Sequence, residues 1–475
     1  MLRKIINTTL FLPLSFFVTF QQSILSENKN SINEIIRINA DTIFIDHQEI
    51  KNIILNNDEL KSLEELIEAS SFNLSSKIAK RYPSIDLQAN GLPKYIAGRN
   101  YNSNSNTLKT SQFSVNPSLN IRWDLIDPLR GPEIKIAREN LKIAKNNFEI
   151  KRKDLIQEAS TRYHKYQKSS QDIVNKKTAL DLSKTSLENA QAKLDAGIGT
   201  KFEVLEADAQ LSRDKQALYE KKIEHQINKI SLKEILNLKE DFEIKKEQKL
   251  LGYWNHKLNK NIKNGLESNL SLKNISLQKS IKDNEANSFL NSNKPSIYIS
   301  NSLSSAFNKG DSMAIDIDPN EYSSSYSNSI SLNFSWNIFN GGQNKNSYKS
   351  RKALARGEEY SYNNLRNILK TNITKAYLNL KLNEEKILST SKEISSTKES
   401  LRLSRLRYDV GISTLKDVLV RQKEFSDAKS KKINAIYNYN LNLDELERLT
   451  FLEKSNNCID KDNISERETI CNTLK

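Results

Sequence analysis

Two long stretches of the chain carry an apolar residue at every seventh position. Ile373, Leu380, Ile387, Ile394, Leu401 and Tyr408 form one ladder, which runs out at Gly411 and Thr414. Ala159, Tyr166, Ile173, Leu180, Leu187 and Leu194 form the other, which runs out at Gly197 and Thr200. A sustained seven-residue period marks a helix whose seam supercoils left-handedly against its neighbours. Past each glycine turn a helix should return. The first carries Val204, Leu205, Leu211, Ile227, Ile230 and Ile235 to about Leu238, and the second runs from Thr414 to about Leu452.

Upstream of each ladder the period drops to two, which predicts strands with one apolar face. Ile85, Leu87 and Ala89 alternate with polar residues after Pro83; so do Phe113, Val115, Leu119, Ile121 and Trp123, beyond a polar stretch read as a loop from about Leu92 to Gln112. In the second half Ile297 and Ile299 follow Pro295, and Ile330, Leu332, Phe334 and Trp336 follow a polar loop over 304–326. Each half opens with a shorter helix, the first carrying Leu60, Leu63, Leu66 and Ile67 behind a cap at Asn57 or Asp58, the second carrying Leu270 and Leu272. Matching positions stand 212 apart at Pro83 and Pro295, 213 at Trp123 and Trp336, and 214 at Gly197 and Gly411. The chain therefore divides into a first repeat, 56–251, and a second, 252–454, between a polar lead-in at 27–55 and a polar tail at 455–475.

Strands of about ten residues with a single apolar face suit the wall of an outer-membrane barrel. Four cannot close one, and an open edge cannot face lipid. Three chains giving twelve strands are the smallest set that makes a sensible tunnel. The competing reading is a soluble protein whose sheet packs under its own helices. Helices of this length argue against it, because the mean is about 11–12 residues.

Composition sharpens the picture. With 37% hydrophobic residues, 12 Gly, 8 Pro and 28% charged residues, the chain suits long helices with wet faces. Its net charge of +15 is spread along those helices with no basic cluster interleaved with aromatics, which leaves no nucleic-acid site to name. Arg3 and Lys4 ahead of the apolar run from Ile5 to Phe20 predict a signal peptide over 1–26. No other stretch is apolar enough for a transmembrane helix. Cys458 and Cys471 could close a disulfide loop in the tail of an exported protein. His47, His164, His225 and His256 stand isolated in sequence, so they are expected to be exposed side chains with no metal site, and no cofactor or catalytic motif is found.

The ordered set of features, present twice, resembles the TolC family of outer-membrane efflux proteins. The resemblance rests on the strand starts at Pro83 and Pro295, the strand-to-helix junction from Trp336 to Gly342, and the turns at Gly197–Thr200 and Gly411–Thr414. It implies a fold that is mostly α with a transmembrane β portion: a homotrimer whose twelve-stranded barrel in outer-membrane lipid continues into a twelve-helix periplasmic tunnel. It further implies a passive exit duct of a tripartite efflux or type I secretion system, coupled through a periplasmic adaptor protein to an inner-membrane transporter or ABC ATPase. Gly197, Thr200, Gly411 and Thr414 would dock the adaptor. Asp417, with Glu203 at the matching position, would ring the constriction with carboxylates, and Tyr408 would take part in the links that close it. Val420 and Ser413 depart from the family pattern, which normally places a second acid and a basic link residue there, and imply a tip held less firmly and less selective for cations. A structural coiled-coil spacer or a surface adhesin is the alternative. It would need the heptads but not the membrane-type strands.

Overall fold

The structure, a computed structural model, describes residues 43–455 apart from 48, 103–104, 245–249, 251 and 312–321. The expected signal peptide and the pair Cys458 and Cys471 lie outside the described residues.

The duplication is realised element for element. In the first half, α2 (Asp58–Ala79) is followed by β2 (Ser84–Asn102), β3 (Ser105–Ile126), α3 (Arg130–Asp195) and α4 (Lys201–Ile235). The second half repeats the order with α6 (Leu270–Asn291), β5 (Ser296–Asp311), β6 (Tyr322–Ser335), α7 (Gln343–Asp409) and α8 (Leu415–Thr450). Helices α2 and α6 are both 22 residues long, and α3 and α7 have 66 and 67. At 1.5 Å per residue each long helix reaches about 100 Å.

Several short elements lie beyond those the sequence pattern predicts. Strand β1 (Ile43–Ile45) pairs in parallel with β4 (Phe242–Ile244), α1 (Ile50–Ile53) runs into a 3-10 turn at Ile54–Asn56, and α5 (Leu258–Ser268) precedes α6. They wrap the middle of the hairpins. Ile45, Ile50, Ile54, Phe242 and Ile244 bury themselves with Leu155, Tyr163, Leu232 and Ile235 in one core. Trp254 and Leu272 join Ile373, Leu380, Ile387, Tyr439, Leu443 and Leu446 in its counterpart.

The four long strands form one antiparallel sheet in the order β2-β3-β5-β6, so within the chain β2 and β6 are paired on one side only. They have 19, 22, 16 and 14 residues rather than about ten. The loop expected over 92–112 is a hairpin paired as far as Asn102 and Ser105, and that over 304–326 is paired in to Lys309 and Tyr322. Gly91, Pro93 and a run of Ser, Asn and Thr look like loop chemistry. An antiparallel ladder, however, is held by main-chain bonds that leave a whole face free to be polar, and the break at Gly91–Pro93 is absorbed as a register shift between Asn90 and Lys94.

Burial along α7 follows the predicted ladder at five of its six rungs: Ile373, Leu380, Ile387, Leu401 and Tyr408 are buried and Ile394 is half-buried. Along α3 it does not. Beyond Ala159 and Tyr166, the buried stripe is Gln167, Ser169, Asp172, Asn175, Ala179, Ser183, Ser186 and Ala190, mostly small or amide side chains, while Ile173, Leu180, Leu187 and Leu194 are half-buried within the single chain. Small and amide side chains let backbones approach closely and bond across the seam. Asn175 donates to Ser426 O at 2.9 Å and Gln422 to Ser186 Oγ at 2.7 Å, tying α3 to α8.

Candidate functional site: the lumen wall and the helical tip

The sheet sorts its residues into two chemically opposite faces. Register places Leu87, Leu119 and Leu303 in one row and Trp123, Ile299 and Leu332 in another. On this face Leu87 is 77% and Ile330 73% exposed. On the opposite face Ser304 shares a hydrogen bond with Ser327 at 2.7 Å, Ser302 donates to Asn120 at 2.8 Å, and Ser300 meets Ser331 at 2.8 Å. Arg122 pairs with Asp124 at 2.9 Å and lies 3.8 Å over the Tyr298 ring. One side suits hydrocarbon and the other water.

Two tryptophans mark where strand gives way to helix. Trp123 Nε1 donates to Arg81 O at 3.0 Å, and Trp336 Nε1 donates to Asn293 O at 2.8 Å. In each repeat the last strand is thus hooked to the end of the helix that precedes the hairpin.

At the far end both hairpins turn in the same way. Gly197 and Gly411 have φ of +74° and +79°, a left-handed conformation that costs glycine no side-chain clash. Ile198 N donates to Lys193 O at 3.0 Å and Gly197 N to Leu194 O at 2.9 Å; Ile412 N to Arg407 O at 2.8 Å and Gly411 N to Tyr408 O at 3.1 Å repeat the pattern. These are Schellman ends, which satisfy the last carbonyls of α3 and α7. The return helices then open with capping boxes. Glu203 N donates to Thr200 Oγ1 at 3.3 Å while Glu203 accepts from Thr200 N at 3.4 Å. Asp417 N donates to Thr414 Oγ1 at 3.4 Å, and Asp417 Oδ2 accepts from Thr414 N at 3.1 Å and from the Thr414 hydroxyl at 3.0 Å. Ile198 and Ile412 project from the turns, well exposed.

The structure brings only some of the expected constriction residues together. Tyr408 is buried in a small tip core with Ala190, Val204, Leu401, Leu415 and Val418. Burial, helped by the nearby carboxylates of Glu203 and Asp409, pushes its phenol up. Asp417 stands elsewhere, on an open groove with Ser400, Leu403, Arg407 and Arg421. The Thr414 amide holds its carboxyl below the usual carboxylate range, with the Thr414 hydroxyl, Arg407 and Arg421 adding to the effect. One contributor was missed in sequence: Lys193 donates from Nζ to Tyr408 O and lies 3.6 Å over the Tyr408 ring. Lys193 and Arg407 each stand four residues before their turn glycine, so the duplication did carry the signal.

The family model for the outer membrane efflux protein matches residues 50–238 and 266–450, well over half of the chain. The chain belongs to the outer membrane efflux protein family. It is an outer-membrane channel subunit with a long periplasmic helical extension. Its fold is mostly α, internally duplicated, with a transmembrane β portion. Among curated proteins none matches the sequence significantly. Solved structures do match in fold. A CusC structure is 14% identical with a TM-score of 0.72 over 86% of this chain and 93% of that one. The CmeC outer membrane channel of Campylobacter jejuni is 16% identical with a TM-score of 0.68 over 90% of each chain. The outer membrane protein VceC of Vibrio cholerae is 14% identical with a TM-score of 0.68 over 86% of this chain and 97% of that one. Among the described residues of this efflux protein no helix is long and apolar enough to cross a membrane. The spacer or adhesin alternative loses its footing, since the family is one of channels.

The histidines require a correction. None of the four is isolated and exposed: His256, half-buried, lies edge-on to Trp254 with ring centroids 5.3 Å apart and its Nε2 is 3.2 Å from Glu453 O. His225 stacks on Tyr166 with ring centroids 4.5 Å apart and its Nδ1 is 2.8 Å from Ser169 Oγ. His47 and His164 are buried against each other and against Asp444. The residues are 117 and 280 apart in sequence, so no local spacing announces the cluster. Packing of α3 on α8, with the segment after β1 folded over both, creates it.

Proposed function

We propose that three copies of the chain join their sheets edge to edge, β6 of one against β2 of the next, to close a twelve-stranded barrel. The six hairpins then enclose a twelve-helix periplasmic tunnel. The observation that carries this reading is the sheet itself: one face apolar and exposed, the other a ladder of Ser and Asn, and both edges unpaired within the chain. Unpaired backbone groups cannot face hydrocarbon, and neighbouring copies supply the partners.

The assembly is the passive exit duct of a tripartite efflux or type I secretion system. An inner-membrane transporter or ABC ATPase drives the cargo, and a periplasmic adaptor couples the two. The adaptor docks on the turns at Gly197, Thr200, Gly411 and Thr414, where exposed Ile198 and Ile412 offer small apolar knobs on a polar tip. Tyr408, Glu203 and Asp417 shape the constriction, with Lys193 bracing one hairpin against the other. The positive neighbours Arg407 and Arg421 temper the field of Asp417, which supports only a weak cation preference.

Insertion of the purified protein into planar bilayers tests the duct. Discrete conductance steps, with a reversal potential altered by Asp417→Asn, are expected. An absence of steps from protein that is folded and membrane-inserted would refute the channel role.

A further inference from the structure

The cluster formed by His47, His164 and Asp444 is not part of the tip, the barrel or the lumen wall. His164, on α3, is 1% exposed and its Nε2 stands 2.9 Å from Asp444 Oδ2 on α8. His47, just past β1, is 8% exposed and its Nε2 stands 3.5 Å from the same oxygen. The imidazoles stack with centroids 5.1 Å apart and planes at 21°. Tyr163 walls the pair, its ring edge-on to both. The other carboxylate oxygen, Oδ1, accepts from Lys454 Nζ at 3.0 Å, and Lys454 also pairs with Glu447 at 3.2 Å.

A hydrogen-bonded chain from His164 through Asp444 to Lys454 accounts for part of this arrangement. It does not account for His47. Two imidazoles converge on one carboxylate oxygen, His164 at 2.9 Å and His47 at a long 3.5 Å. Among the described residues His47 Nε2 is buried and makes no well-formed hydrogen bond, its nearest polar neighbour in the cluster being Asp444 Oδ2 at 3.5 Å. Buried polar atoms are rarely left so, because each forfeits its hydration. One donor atom from each of the three side chains lies within 4.8 Å of the other two. Ligands about 2.0–2.2 Å from a shared ion require such convergence.

We infer that His47, His164 and Asp444 form a structural site for a divalent transition metal of the zinc class. Two imidazoles and one carboxylate suit a borderline ion better than calcium or magnesium, which prefer all-oxygen shells. His164 would exchange its hydrogen bond to Asp444 for a bond to the ion. Lys454, fixed by Glu447, orients the carboxylate from behind, as outer partners of metal ligands commonly do. A groove lined by His47 and Asp444 reaches the cluster and leaves room for water as fourth ligand; Lys51, Arg152, Lys153 and Arg448 line it against Glu447 and Glu453, so the ion enters past a basic rim. An ion here would staple the segment carrying β1 to α3 and to α8, three parts of the chain far apart in sequence.

The test is zinc binding by the full-length, detergent-extracted protein, stripped with chelator and titrated with zinc chloride alone. It is done in a Cys458→Ser, Cys471→Ser background so that tail thiols cannot contribute. One ion per chain is expected, with a rise in melting temperature on adding zinc. His47→Gln, at the edge of the fold, should weaken binding at least about 100-fold and abolish that rise. His164→Gln should do the same where it folds, and His225→Gln should do neither. No stoichiometric binding by the parent protein, or binding unchanged in His47→Gln, would overturn the site.

Discussion

Lys193 lies 3.6 Å over the aromatic ring of Tyr408 and donates to the Tyr408 carbonyl, joining the last turn of α3 to the last turn of α7. The two residues are separated by more than two hundred positions and belong to different repeats. Their contact is a direct brace between the two hairpin tips of one chain. It serves two purposes at once, because the ammonium satisfies a C-terminal carbonyl and complements the negative end of the α7 dipole.

If the tip is the constriction, loosening this brace should widen it. Lys193→Met keeps the aliphatic stem while removing the charge. A hydrogen bond from a charged donor contributes about 1.5–3 kcal/mol, enough to shift a balanced equilibrium more than tenfold. Single-channel recordings of the variant should show higher mean conductance than wild type, with unchanged cell-envelope yield. Equal conductance would place the constriction elsewhere.

Asp417 gives a pH prediction whose sign is fixed by its depressed pKa. The charged capping carboxylate contributes stability that is fully present above the unfolded carboxylate value of about 3.9. That contribution is lost only as the pH falls through the lower folded value. The reversal potential across a potassium chloride gradient should therefore hold from neutral pH down to about pH 4, judged from that reference value. Thr414→Val removes the hydroxyl donor and should move the loss to higher pH. A wild-type selectivity that already collapses well above the ordinary carboxylate range would show that Asp417 is not the titrating group.

Trp123 and Trp336 predict a pair of matched phenotypes. Each indole donates to a carbonyl at the end of the preceding helix, Arg81 O and Asn293 O. Trp→Phe at either position removes that bond and leaves most of the ring. A loss of about 1 kcal/mol per substitution is expected, measured as a lowered unfolding temperature in detergent, similar for the two variants. A loss in one repeat alone would mean that the hooks are not equivalent in the assembled protein.

The helices and turns could be read from the sequence because their signals are local and stated twice: a seven-residue ladder, then glycine, then Thr with an acid three residues on. The alternation marks the strands but not their full length, since Ser and Asn along the polar face of the sheet look like loop residues. The seam of α3 was misplaced for a related reason. Ile173 and Leu180 are the larger apolar side chains, yet within the chain burial falls on Asn175, Ala179 and Ser183, whose small size and amide bonds suit close helix contact. The histidine cluster was invisible, because its three side chains meet only through the packing of α3, α8 and the segment following β1.

The number of chains in the detergent-solubilised particle from the outer-membrane fraction is the decisive quantity, and light scattering with correction for bound detergent measures it. Three chains in a particle that aggregates when detergent is withdrawn are what edge-to-edge closure of β6 on β2 predicts. A soluble particle of one or two chains would mean that the sheet closes no barrel, and the channel described here would not exist.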